Sequence, residues 1–174
     1  AGHGMEIGGR TYLLPTDVKL EKDVHADDEA ITLDVILEKV ERARGLGLVV
    51  LDACRNNPFE HDIERTWRRG RDARTGSGLA RADIDNVGVL VAYAAKHGTT
   101  AEDGEGKMSP FALALVEEIQ KPGVEVNMVF RRVRDRVLER TERRQEPFMY
   151  GSLPGREFYF NDAGVAKAAI VPAK

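Results

Sequence analysis

The sequence predicts an α/β fold with a mostly parallel central sheet flanked by helices. Two apolar runs, Leu46–Leu51 and Val87–Ala95, are short, continuous and rich in valine and leucine, as strands buried on both faces are. Ahead of the first run, Leu33, Ile36, Leu37 and Val40 recur at helical spacing, after an extended piece at Arg10–Leu14. Strand, loop, helix and strand in that order make the β-loop-α-β unit of a parallel sheet.

Each element has a local cause. Pro15 halts the extended piece Arg10–Leu14. Val18–Ala30 is polar and acidic and reads as a loop. Thr32 is placed to cap a helix that runs to about Arg44, where Gly45 and Gly47 end it. Residues 57–86 lack a sustained apolar period. An arginine-rich stretch at about 60–86 carries Arg65, Arg68, Arg69, Arg71, Arg74 and Arg81 and reads as a long, exposed, mobile loop. Lys96–Met108 is glycine-rich and reads as another loop. Ser109 caps a helix that has Pro110 at its first position and runs to Gln120, before Pro122-Gly123. A further helix spans about Val126–Thr141, with Val126, Phe130, Val133 and Val137 on one face. Arg156–Phe160 alternates aromatic residues and reads as a final strand, and 161–174 as a loose tail, which sets the domain at 1–160.

Composition narrows the class. A chain of 174 residues is expected to form one domain with a sizeable core. Hydrophobic content of 42% and charged content of 32% suit a soluble globular protein. No apolar run nears the ~18 residues of a membrane span, and no secretory signal is recognisable. The net charge of −3 predicts no general affinity for nucleic acid. With no signal peptide or membrane segment in this chain the expected location is cytoplasmic, and the single cysteine, which excludes an internal disulfide, is compatible with a reducing compartment.

That cysteine, Cys54, closes the first apolar run in Leu51-Asp52-Ala53-Cys54-Arg55. Gly2-His3-Gly4 lies upstream, at the spacing of about fifty residues typical of a caspase-type pair. The thiolate is the reactive form of cysteine, and a nearby imidazole helps to generate it. Taken alone, Cys54 reads more readily as a buried structural thiol than as a nucleophile. The surrounding words add Tyr12-Leu-Leu-Pro-Thr-Asp17, Asn56-Asn-Pro-Phe59, Val91-Ala-Tyr-Ala-Ala95, Thr99-Thr-Ala-Glu-Asp103 and Ser109-Pro-Phe111. In this order, from Ala1 to about Phe160, the chain resembles the catalytic domain of bacterial caspase-like peptidases, close to metacaspases. The caspase signature has Gln before and Gly after the cysteine pair. Asp52 and Asn56 stand there instead, which sets the chain on the metacaspase-like side.

The resemblance implies a caspase-like three-layer sandwich whose N-terminal strands are absent from this chain. A missing N-terminal segment of the same protein is therefore an expected partner. It implies a cysteine endopeptidase with Cys54 as nucleophile and His3 as general base and acid. The backbone N–H groups of Gly4 and Cys54 would form the oxyanion hole. Asp52 would line the S1 pocket and select Arg or Lys at P1 of peptide or protein substrates by charge attraction. As a strand residue two before Cys54, it would share that residue's face. Its other reading is a strand-end aspartate capping a turn. Tyr93, Ala94 and Ala95 match the strand that pairs with the substrate backbone, and equally suit any packed strand.

The arginine-rich loop reads as a solvated loop or as a self-processing segment with cuts at Arg71, Arg74 or Arg81. Nucleic-acid binding is disfavoured, since Trp67 is its one aromatic interleaved among the arginines. No cofactor is expected, because no zinc spacing occurs. Calcium, which some metacaspases need, is not favoured, since Leu33-Asp34 occupies the place of their Asp-Asp pattern. The alternative function is a catalytically inactive caspase-like interaction module.

Overall fold

The computed structural model describes residues 1–18, 25–54, 88–96, 101–102 and 108–165. The arginine-rich stretch, with Arg71, Arg74 and Arg81, lies outside the described residues.

Strands β1 (Gly2–Ile7) and β2 (Arg10–Leu14) form an antiparallel hairpin. Gly8 and Gly9 turn it with φ of 57° and 81°, the left-handed pair of a type I′ hairpin turn. Helix α1 (Ala26–Glu29) interrupts the segment that the sequence presents as a loop. Its Ala26 is buried against Met5 and Tyr12, and Tyr12 donates to Asp27 Oδ1 at 2.7 Å. Burial first, and then that bond, raise the Tyr12 phenol above its ordinary pKa. A short strand β3 (Ile31–Thr32) pairs with β2, Tyr12 opposite Thr32.

Helix α2 (Leu33–Val40) starts where expected, but the Thr32 side chain makes no cap bond, and the helix stops four residues short of Arg44. The chain must return at once to the sheet. Gly47 passes so close to the helix that a Cβ there would lie 2.7 Å from a Val40 methyl.

Strand β4 (Gly47–Leu51) is followed after Asp52 by β5 (Ala53–Cys54). β4 pairs in parallel with β6 (Val89–Tyr93), and β6 pairs antiparallel with β7 (Phe148–Gly151). β5 pairs in parallel with β1. The segment 47–54 thus joins two small sheets, β3-β2-β1-β5 and β4-β6-β7, which are mixed rather than mostly parallel. At the end of β7, Gly151 has a φ of 122° and lies against the Val89 carbonyl, where no Cβ fits.

Helices cover both faces of the second sheet. On β6, Val89, Val91 and Tyr93 pack with Val49, Leu51, and Leu33 and Leu37 of α2. Leu90, Ala92 and Ala94 pack on the other side against α3 (Pro110–Ile119) and α4 (Val126–Arg140). This period-two division of an all-apolar strand makes a three-layer sandwich. α3 is capped as expected, Ser109 Oγ accepting from the Ala112 N–H at 2.9 Å. α4 buries Val126, Val129, Phe130, Val133 and Val137 on its predicted face.

The expected strand at Arg156–Phe160 is not formed. That segment makes one isolated bridge, Glu125 with Tyr159, and its Phe160 ring packs edge-on against Phe130, with centroids 6.3 Å apart. Its aromatic residues serve α4 rather than a sheet, and β7 takes the edge beside β6 instead. The start of the expected loose tail is tied down: Asn161 Nδ2 donates to the Gln120 carbonyl, and the Gly123 N–H to the Asn161 carbonyl. Residues 166–174 lie outside the described residues.

Candidate active site

Two strands bring the principal candidates to one place. In the β1–β5 ladder His3 is the register partner of Cys54, and Gly2 of Ala53. Neighbouring strands run about 4.8 Å apart, so residues far apart in sequence become lateral neighbours. His3 is exposed, and the next residue, Gly4, is buried and pairs with Leu13 on the hairpin side.

Asp52 occupies the break between β4 and β5, where the chain changes pairing partner. Residues two apart share a face only along an unbroken strand, and the strand is interrupted at Asp52, so the expected common face with Cys54 does not follow. Its carbonyl accepts from the Gly2 N–H at 3.1 Å, and its Oδ2 from Ser109 Oγ at 2.5 Å. Asp52 therefore links the start of the His3 strand to the capped start of α3. It also borders a cleft of about 110 Å³, together with His3, Leu13, Leu14 and Val50. That volume suits one side chain rather than a whole ligand, since small-molecule pockets occupy ~300–1,000 Å³.

Tyr93, Ala94 and Ala95 are placed differently from the expectation. They are 3%, 2% and 2% exposed. Tyr93 has β4 on one side and β7 on the other, opposite Leu51 and Phe148. The Ala94 N–H donates to the Leu51 carbonyl at 2.9 Å, and its carbonyl accepts from Gln145 Nε2 at 2.8 Å. A substrate backbone has no open edge at Tyr93 or Ala94, because the protein's own strands and Gln145 already fill those hydrogen-bonding positions. Ala95 is too buried to present itself to a peptide in this arrangement.

The role of Ser109 as donor to Asp52 has no local signal in the sequence, and neither has the placement of Gln145. A larger hollow, about 180 Å³, lies among Phe111, Phe130, Phe148 and Met149, away from His3 and Asp52. Among the described residues no group of three His, Cys, Asp or Glu side chains is placed to hold a metal ion. None of the described helices is long and apolar enough to cross a membrane.

A helix-covered mixed sheet, joined through 47–54 to a second sheet in which a histidine strand lies in register beside a cysteine strand, defines the class, a caspase-like α/β sandwich. The family model described as "Caspase domain" matches residues 1–159, and the chain belongs to that family of cysteine peptidases. The crystal structure of caspase-1 from Spodoptera frugiperda shares the fold, with a TM-score of 0.52 at 14% identity. The match covers 77% of this chain and 57% of that one. No match was found among curated proteins.

Proposed function

We propose that the chain is a cysteine endopeptidase that cuts after Arg or Lys. The observation that carries this reading is the β1–β5 register, in which His3 is the partner of Cys54. In the proposed reaction the Cys54 thiol gives its proton to His3, and the resulting thiolate attacks the scissile carbonyl carbon. Collapse of the tetrahedral intermediate breaks the C–N bond, and the His3 imidazolium gives its proton to the leaving amine. Water, deprotonated by His3, then hydrolyses the thioester and regenerates the thiol. The N–H groups of Gly4 and Cys54 are the proposed donors to the oxyanion.

Asp52 is the proposed selector of the basic P1 side chain. Its place beside the small cleft near His3 supports this, and Ser109 holds its carboxylate in one position. Arg71, Arg74 and Arg81 remain the proposed self-cleavage positions.

The test is cleavage of a fluorogenic peptide with Arg at P1, followed with the intact mass of the protein. Cys54→Ala is expected to reduce kcat/KM by at least about 10³-fold and to leave the chain uncut. Wild-type turnover in that variant would refute the assignment.

A further inference from the structure

Gln145 follows the C-terminal turn of α4, far in sequence from His3, Asp52 and Cys54. Its side chain is fully buried, at 0% exposure. Both ends of its amide are used. Nε2 donates to the Ala94 carbonyl at 2.8 Å, and Oε1 accepts from the Glu102 N–H at 2.9 Å. Its own N–H donates to Thr141 Oγ1 at 3.1 Å, which fixes the residue to the helix end. Arg144 adds an ion pair to Glu102 at 2.6 Å.

The place of this bridge matters. β4 and β6 are parallel, so their carboxyl ends lie at one edge of the sheet, and in open α/β sheets that edge is where ligands bind. Asp52 and Cys54 follow the carboxyl end of β4, and Ala94 that of β6. The Ala94 N–H holds the Leu51 carbonyl, one residue before Asp52. A continuous series of bonds therefore runs from Leu51 through Ala94 and Gln145 to Glu102.

We infer that Gln145 is a positioning residue. It fixes the end of β6, and through it the end of β4, and it holds Glu102 at the same edge. The inference rests on the peptidase reading above. An amide suits the task because one planar group supplies a donor and an acceptor in opposite senses. No apolar side chain satisfies both the buried carbonyl and the N–H.

Three measurements on the full chain test it. In the wild type, the Glu102 amide should exchange with solvent more slowly than a free loop amide by at least about 10²-fold. Exchange at the free rate overturns the inference whether or not any variant folds. Gln145→Leu, where circular dichroism shows it folded at the assay temperature, should lose about 10²-fold in kcat/KM, the size expected of a small misplacement of reacting groups.

Gln145→Glu supplies the sign. A protonated carboxyl donates to Ala94 and accepts from Glu102 as the amide does, whereas the carboxylate cannot donate. Its ratio of kcat/KM to wild type should therefore rise as pH falls. Among the described residues the charged groups on the adjoining segments are Glu102 and Arg144, paired with each other, Glu146, paired with Arg134, the exposed Glu142 and Arg143, and Lys96, two residues after Ala94. Folded Gln145 variants as active as wild type at every pH sink this inference alone. A wild type indistinguishable from Cys54→Ala sinks the peptidase reading itself.

Discussion

The α3–α4 side of the sheet and the β1–β2 hairpin differ sharply in what holds them. On the helical side Ala114, Val133 and Val137 are wholly excluded from solvent, and Phe111 nearly so. Beneath them Glu118, also fully buried, receives Lys121 at 2.6 Å and Arg136 on the same oxygen, while Arg136 and Arg140 reach Glu117. The hairpin has a small core, with Met5, Tyr12 and Ala26 as its buried members. It connects to the rest through β5, α2 and the bond from Gly2 to Asp52. The candidate base thus sits on the thinner side and the candidate nucleophile on the strand that joins both. Segments with few buried contacts open first, so the His3 strand can move relative to Cys54 at a lower free-energy cost than the helices can part.

Phe111→Ala should break this contrast most strongly. It removes a large ring from the main core and is expected to cost about 3–5 kcal/mol, read as a fall in the urea midpoint with unchanged m. A loss below about 1 kcal/mol would show that the helical side is not the stronger half.

Met5→Ala is expected to cost less, about 2 kcal/mol, because a small cluster near the surface collapses more easily around a cavity. Its signature is local. Hydrogen exchange should accelerate in 2–14 before it does in 126–140, and uniform acceleration would erase the distinction between the regions.

The smallest effect concerns acid. Burial alone would raise the Glu118 pKa, but the hydrogen bonds and charges of Lys121 and Arg136 outweigh it, and the net shift is downward. A carboxylate lowered in the folded state stabilises fully above its unfolded pKa, near 4.3, and loses that contribution as pH falls through the lower folded value. Between pH 6 and 3 wild type should therefore lose more stability than Glu118→Gln does. Parallel pH profiles for the two would show that the carboxylate's charge is not what the arginine and lysine hold.

Much of the fold was legible because its causes are local. The face of α4 followed from residues three and four apart, and the start of α3 from Ser109 before Pro110. The strand at 47–51 followed from an unbroken apolar run. The end of α2 was not legible, because it is set by the return of Gly47 past Val40 rather than by any stop signal. Nor was β7: Phe148–Gly151 is short, and the stronger alternation at Arg156–Phe160 is spent on packing against α4. The site divides in the same way. Gly-His-Gly and Asp-Ala-Cys announced themselves as words, whereas the burial of Tyr93, Ala94 and Ala95 depends on which strands flank them.

By itself the sequence determined where α2, α3 and α4 start, the Ser109 cap and the two buried runs, each written in residues within a turn or two of one another, and the family, written in words spread from Ala1 to about Phe160. The tertiary structure alone decided that His3 stands beside Cys54, that Ser109 holds Asp52 and that Gln145 joins Ala94 to Glu102. Those pairs are brought together by sheet register and helix packing. A hydrogen bond across tens of residues leaves no periodic trace along the chain, because its geometry exists only once both backbones have been fixed elsewhere.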